Sequence, residues 1–261
     1  DFRDYWSVTP VEQSYSDPRQ VERGNRLLDD FRSTVALKTV VNQSIADYIG
    51  KCEVVRNAYN EQLAGLWKTP QDNSIFRIGL IGHDIDPKSW QWLLETLSAA
   101  QKLDTPLLTR TELIHVGQAD SRAMQRDMND RQLSCRFDAR GHLSRTQTFA
   151  ALNETHLVYL GMSQPEGLQF VPGRVYDLLA SGRPIFSNAD PTSEIAQIIT
   201  STGNGWCYSP ADVETAAVKL IELTSTTLDG RGTVIPRPAY ALPYGSRRQA
   251  EAFARLFEKL I

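Results

Sequence analysis

Short apolar runs that stop at glycine recur along this chain, and each is followed by a stretch of helical period. Phe76-Arg77-Ile78-Gly79-Leu80-Ile81 stops at Gly82, Glu112 to Val116 at Gly117, and Leu157 to Leu160 at Gly161. Between them, Lys88 to Lys102 carries Trp92, Leu93, Leu97 and Ala100 near one face, Ala119 to Asp130 reads as a charged helix, and Ser144 to Leu152 as another. Further on, the pattern predicts a helix over Gly173 to Ser181 capped by Gly182, a strand over Pro184 to Ser187, and a helix over Ser193 to Thr200. A strand at Trp206 to Tyr208 and helices over Ala211 to Thr224 and Ser246 to Leu260 complete it. Ser134 to Phe137 reads as one more short strand. Such alternation demands an α/β fold with a parallel sheet covered by helices on both faces. Ligands of these sheets bind outside the carboxyl ends of the strands, so the loops after Ile81, Val116, Phe137, Leu160 and Phe186 become the candidate site.

The first 73 residues are less regular. A polar helix is expected over Arg19 to Phe31, strands over Ala36 to Val41 and Cys52 to Val55, and a short helix over Ser44 to Ile49. Residues 57–74 are polar and rich in turn formers. Composition narrows the function. With 41% hydrophobic and 23% charged residues among 261, the chain has the makeup of a globular protein, and its net charge of −3 provides no global field for nucleic acid. Trp67, Trp90 and Trp92 are too sparse for a base-stacking platform. Cys52, Cys135 and Cys207 form no C-x-x-C pair and read as reduced thiols. The four histidines lack metal-ligand spacing, so no metal is expected.

The most informative segment runs from Pro172 to Phe186, where a glycine-containing loop enters a helix that ends Ser181-Gly182-Arg183-Pro184 and passes into a strand. Arg174 falls in the first helical turn, where backbone N–H groups also point outward, a combination suited to a diphosphate. Asp177, one turn on, has the acceptors for a ribose diol. Spacing alone serves equally well a solvated Arg174 and an Asp177 that only complements the helix dipole.

This segment resembles the P-S-K-x-x-E-Y-L-A-x-G-x-P-I stretch of the large retaining group of GT-B glycosyltransferases known as family 4, with Arg174 in place of the Lys and Asp177 in place of the Glu. The likeness extends over about residues 75–225. Phe76 to Gly82 with the downstream Lys88 resembles the family's opening strand, glycine turn and lysine. Arg140-Gly141-His142-Leu143-Ser144 resembles its F-x-G-x-V turn, and Gly203 to Asp212 its closing G-x-G … P-x-D segment. Upstream, Val40 to Ile49 and Val54 to Ala58 resemble V-S-x-x-L-A-x-x-L and V-x-P-N-G, and Asp1-Phe2-Arg3-Asp4-Tyr5-Trp6 resembles D-x-R-D-x-W. The departures are His83 for the usual Arg of the glycine turn, Asp177 for Glu, and Gln169 where the first acid of the pair would fall, with Glu166 nearby.

The resemblance implies a Rossmann-like lobe that transfers a sugar from a nucleoside-diphosphate donor to an acceptor hydroxyl of a glycan or glycolipid. Retention of configuration, hexosyl or pentosyl transfer, a role in polysaccharide or glycoconjugate biosynthesis and a cytoplasmic location follow from it. Glu166, Arg174 and Lys88 are then the catalytic candidates. Gly82, His83, Lys88, Gly141, His142, Arg174 and Asp177 are the donor-nucleotide candidates, and no cofactor is implied because the nucleotide sugar is a substrate. Residues 1–60 are expected to be the tail of an acceptor-side lobe, 61–73 a linker, and 74–261 the nucleotide-sugar lobe with its C-terminal helix. On the same grounds the chain is expected to be a piece of a two-lobed enzyme, its other lobe a missing partner. The last helix, with Arg247, Arg248, Phe253 and Phe257, is expected to pack across the lobes, and peripheral contact with a membrane is the alternative. A second reading is a non-catalytic nucleotide-binding or protein-interaction module, favoured by Gln169, His83 and Asp177. An NAD enzyme is disfavoured because no G-x-G-x-x-G follows the first strand.

Overall fold

The computed structural model describes residues 18–61, 66–82, 85–162, 170–232 and 243–260. The Asp1 to Trp6 motif, His83, Glu166 and Gln169 lie outside the described residues. The chain divides into two compact units. One draws on Asp1–Glu61, Gln164–Gly173 and Pro243–Ile261, the other on Gln62–Ser163 and Arg174–Leu242.

The larger unit is built on a six-stranded, wholly parallel sheet. Its strands in chain order are β3 (Phe76–Ile81), β4 (Thr111–Val116), β5 (Arg136–Gly141), β6 (Leu157–Leu160), β7 (Ile185–Ser187) and β8 (Gly205–Cys207). In space they lie β5-β4-β3-β6-β7-β8. The strand order therefore reverses between β3 and β6, which pair through Ile78↔Leu157, Gly79↔Val158 and Leu80↔Tyr159. In a doubly wound sheet this reversal opens the crevice where ligands bind.

Alternation along the strands sends side chains to opposite faces. Phe76, Ile78 and Leu80 of β3 join Leu113, Leu157, Tyr159 and Phe186 in one buried cluster. Against it pack α3 (Pro87–Leu103) through Trp92, Leu93 and Leu97, α5 (Ser121–Asp130) through Met124 and Met128, and α9 (Val213–Leu228) through Ala216 and Leu220. On the other face Ile114 and Val116 pack on Ala151 of α6 (Arg145–Glu154). Along the same chain run α4 (Thr105–Thr109), α7 (Arg174–Ser181) and α8 (Glu194–Ser201). Ile199 of α8 lies against Gly205.

Two departures from the sequence pattern have physical causes. β5 runs to Gly141 rather than ending at Phe137, because an edge strand needs no apolar pair of faces; Arg140 there donates to Asp138 at 2.8 Å and to Glu154 at 2.7 and 2.8 Å. The short α4 is one turn set by Asp104, whose carboxylate accepts from Leu107 N at 2.9 Å.

Within the polar stretch before β3, Trp67 is 8% exposed and meets Phe149 edge-on at 4.7 Å between centroids. Beside it, Asn153 accepts from Lys68 N at 2.8 Å and donates to Leu66 O at 2.7 Å. Arg183, with no exposed surface, sends its guanidinium to the carbonyls of Thr155, Ser181, Asn153 and Lys68. Burial lowers its pKa to about 10, which still leaves it charged at neutral pH.

In the smaller unit, α1 (Pro18–Thr34) precedes β1 (Thr39–Val40), which pairs in parallel with β2 (Glu53–Val54). Between them α2 (Gln43–Ile49) is capped by Asn42, which accepts from Ile45 N at 2.8 Å, and is ended by Gly50 at φ 73°. Val40, Val41, Ile45, Ala46 and Ile49 form its apolar cluster. The last helix, α10 (Ser246–Glu258), belongs to this unit. Tyr59 N donates to Tyr244 O at 3.0 Å, Ser246 N to Tyr59 O at 3.1 Å, and Gln249 Nε2 to Arg56 O at 2.6 Å. All three cysteines are free thiols, and burial pushes Cys135 and Cys207 up to about 12. Among the described residues no helix is long and apolar enough to cross a membrane.

Candidate nucleotide site

The carboxyl ends of β3 and β6 meet the amino end of α3. Asp86 caps that helix by accepting from Ser89 N at 2.9 Å, and Pro87 fixes its first turn. Ser89 ties the turn to the sheet. Its carbonyl accepts from Tyr159 OH at 2.7 Å, and its hydroxyl accepts from Asn188 Nδ2 at 3.1 Å. Asn188 Oδ1 accepts in turn from Met162 N at 2.6 Å. Gly161 is required here, since a Cβ on it would come within 2.8 Å of Ser89 Cβ. The helix terminus is thereby held at the point where strand order reverses.

Arg174 enters from the first position of α7. Its guanidinium lies on Gly82, where a Cβ would overlap Nη1. Its Nε is buried and has no hydrogen-bond partner among the described residues. Burial lowers the pKa of this guanidinium, and the nearby Asp86 carboxylate opposes the shift. A partly buried cation with an unmet donor beside a glycine that admits close backbone approach is an arrangement suited to an anion.

The second glycine turn lies beside it. Gly141 adopts φ 68°, a left-handed conformation that favours glycine, and its carbonyl accepts from Gly117 N at 3.0 Å. The chain then turns through exposed His142 into α6, which starts with a capping box. Gln147 N donates to Ser144 Oγ at 3.4 Å, and Ser144 N donates to Gln147 Oε1 at 3.0 Å. Gly82, Gly117, His142 and Thr148 line a cavity of about 180 Å³, with Ile81, Val116 and Leu143 as its apolar wall.

Gly82 is thus brought together with both Arg174 and His142. Lys88 is exposed in the first turn of α3 and does not line that cavity, and neither does Gly141. Asp177 is half-buried, which raises its pKa, while Arg145 opposes this from the start of α6 with Nη2 3.7 Å from Oδ2. His83 and Glu166 are outside the described residues. Sequence reasoning missed Arg145, Asp86 and Asn188. Asp86-Pro87 could have been found as a capping signal; Arg145 and Asn188 carry none, because their roles depend on contacts between distant segments.

Solved structures similar to this chain share one architecture. A TarM mutant from S. aureus, crystallised with UDP, fondaparinux and alpha-GlcNAc-glycerol, aligns over 94% of this chain and 48% of its own at a TM-score of 0.66 and 15% identity. Sucrose-phosphate synthase from Thermosynechococcus elongatus aligns over 98% of this chain and 66% of its own, at a TM-score of 0.68 and 13% identity. WaaG, a glycosyltransferase involved in lipopolysaccharide biosynthesis, aligns over 85% and 62%, at 0.58 and 13%. No protein-family model and no curated protein matches the sequence. The fold is therefore that of GT-B glycosyltransferases, as the motifs of the sequence imply. This chain spans about half to two thirds of the length of those structures.

Proposed function

We propose that the larger unit is the donor-binding lobe of a glycosyltransferase that takes a nucleoside-diphosphate sugar and passes the sugar to an acceptor hydroxyl. The observation that carries this is Arg174, a partly buried guanidinium whose buried Nε has no partner among the described residues, lying on Gly82 where the strand order reverses. Negative charge grows on the diphosphate as the glycosidic bond breaks. A fixed cation stabilises that charge without reorganising, and most effectively where water is excluded. Lys88 and the amino terminus of α3 add positive potential on the same end of the sheet. In this reading Gly82 and Gly141 admit close backbone approach, His142 donates to phosphate or sugar, and Asp177 accepts from the ribose. The motif resemblance assigns Glu166 and His83 to the same site.

The finer assignments of this reading rest on the resemblance of the motifs. They are retention of configuration, transfer of a hexosyl or pentosyl group without a metal, and a role in polysaccharide or glycoconjugate assembly at the cytoplasmic side. A second reading, a nucleotide-binding module without turnover, is favoured by the pairing of Asp177 with Arg145, which competes for the carboxylate.

Calorimetric titration with UDP, GDP, ADP and dTDP, and with their sugars, tests the first reading. One nucleoside diphosphate should bind below millimolar concentration. Arg174→Ala and Lys88→Ala should each weaken it by about 1–3 kcal/mol, the scale of a charge-assisted hydrogen bond. Unchanged affinity in both variants would remove the phosphate-site assignment. Binding without release of sugar to water or any acceptor would favour the module.

A further inference from the structure

At the carboxyl end of the sheet a single buried amide joins three segments. Asn188, 3% exposed, directly follows β7. Its Oδ1 accepts from Met162 N at 2.6 Å, and its Nδ2 donates to Ser89 Oγ at 3.1 Å. Met162 stands just beyond β6, and Ser89 lies in the first turn of α3, which follows β3. The amide thus links the ends of β3, β6 and β7, which are neighbours in the sheet at the reversal of strand order.

The sheet side of this link is fixed. Ser187 Oγ donates to Leu160 O at 2.7 Å, Ala189 N to Ser187 Oγ at 3.1 Å, and Tyr208 N to Ser187 O at 3.0 Å. Asn188 therefore hangs from an anchored strand end, and the helix is the element that follows it. On the helix side every polar group of Ser89 is engaged. Its N donates to Asp86 Oδ1 at 2.9 Å, its carbonyl accepts from Tyr159 OH at 2.7 Å, and its hydroxyl meets Asn188. Pro87 restricts the backbone on the other side. Lys88, between the two, has a fixed backbone and an exposed side chain. An apolar residue in place of Asn188 would avoid the cost of burying an amide, but it would orphan Met162 N and release Ser89. A buried amide satisfied on both sides holds the segments around it in one arrangement.

We propose that Asn188 is a positioning residue of the donor site: through Ser89 it fixes the first turn of α3, and so the place from which Lys88 reaches the diphosphate. This rests on the donor-lobe reading above. Asn188 acts through Ser89 and not on the substrate itself.

Calorimetry and phosphorus NMR with UDP, GDP, ADP and dTDP test it on the full chain. Asn188→Leu should weaken the nucleoside diphosphate that the parent binds by at least about tenfold, the scale of one lost hydrogen bond. At saturation its bound phosphorus resonances should be displaced from the parent's in the direction seen in Lys88→Ala. A loss of stability alone would leave the saturated complex unaltered. In a Lys88→Ala background Asn188→Leu should add little, because the group it positions is gone. Ser89→Ala removes only the hydroxyl that Asn188 reaches. It should show the same two effects in smaller measure, and it decides the matter if Asn188→Leu fails to fold. A parent that binds none of the four nucleotides overturns the donor-lobe reading and this role with it. A parent that binds, with variants that match its affinity, overturns this role alone. Weaker binding with unmoved resonances, or losses that add to that of Lys88→Ala, would overturn it too, because Asn188 would then act on the fold and not on Lys88.

Discussion

The guanidinium of Arg174 occupies the space that a methyl group on Gly82 would need, so the two positions cannot be changed independently. Gly82→Ala should push Arg174 off its seat and weaken the nucleoside diphosphate by about tenfold, or 1.4 kcal/mol. In an Arg174→Ala background the same substitution should leave the remaining affinity almost unchanged, because the conflict with the guanidinium is gone, although Gly82 at φ 156° still strains the backbone. A double-mutant cycle measured by calorimetry checks this, and additive losses would show that Gly82 acts in another way.

Arg183 bonds to carbonyl oxygens of four residues, with no carboxylate partner among the described residues. Arg183→Met should destabilise the larger unit by about 3 kcal/mol or more, since the buried carbonyls lose their donors. Arg183→Lys should recover little, because a point charge cannot span four acceptors. Denaturant melts of both variants provide the measurement. A lysine variant as stable as the parent would contradict the role assigned to the planar fork.

Acid should weaken the fold through His156. Its Nδ1 accepts from Arg77 N at 3.0 Å, and its Nε2 lies 3.1 Å from Asn73 Oδ1. Burial, then the Arg77 charge, lowers its pKa from 6.5 to about 4. Between those values the unfolded chain binds a proton that the folded chain refuses. The contribution is therefore complete above pH 6.5 and is lost as pH falls towards 4, by up to about 3 kcal/mol. Stability measured across that window, with the His156 ring followed by NMR, checks it. A ring titrating near 6.5 in the native state would refute the assignment.

Gly205 lies in β8, where a Cβ would overlap the backbone carbonyl of Ile185 on the neighbouring strand and come within 2.7 Å of Ile199 Cγ2. Neither β7 nor α8 can yield cheaply. Gly205→Ala should thus cost about 2–3 kcal/mol, at the upper end of overpacking penalties. The midpoint of chemical unfolding reads this directly, and an unshifted midpoint would mean that the edge of the sheet gives way freely.

Much of the sheet was legible because its central strands are buried on both faces. Phe76 to Ile81 and Leu157 to Leu160 had their limits set by glycine and by apolar continuity, and both are found at those limits. At the edges the signal fails. Asp138 and Arg140 make β5 look like a loop, although they satisfy each other and Glu154. Only two residues pair in each of β1 and β2, although longer apolar runs suggested more. At the candidate site the loop glycines and Arg174 could be read from their helical and turn positions. The partner of Asp177 could not, because Arg145 approaches from 32 positions away in a polar helix start. Arg183 was visible only as part of a motif, since backbone atoms provide its partners and leave no trace in side-chain pattern.

The pairing of β3 with β6 also bears on how the chain acquires its shape. Arg77 and His156, bonded at that junction, are 79 positions apart. The strands β3, β4 and β5 can associate as they emerge, but the second half of the sheet has no neighbour to join until β6 arrives. Closing so long a loop precedes the reward of the contacts it makes possible, which places this unit among slow-folding topologies. Until then the edge of β3 that later receives β6 is an open template, so dilution and low temperature should favour recovery of the native form after denaturation.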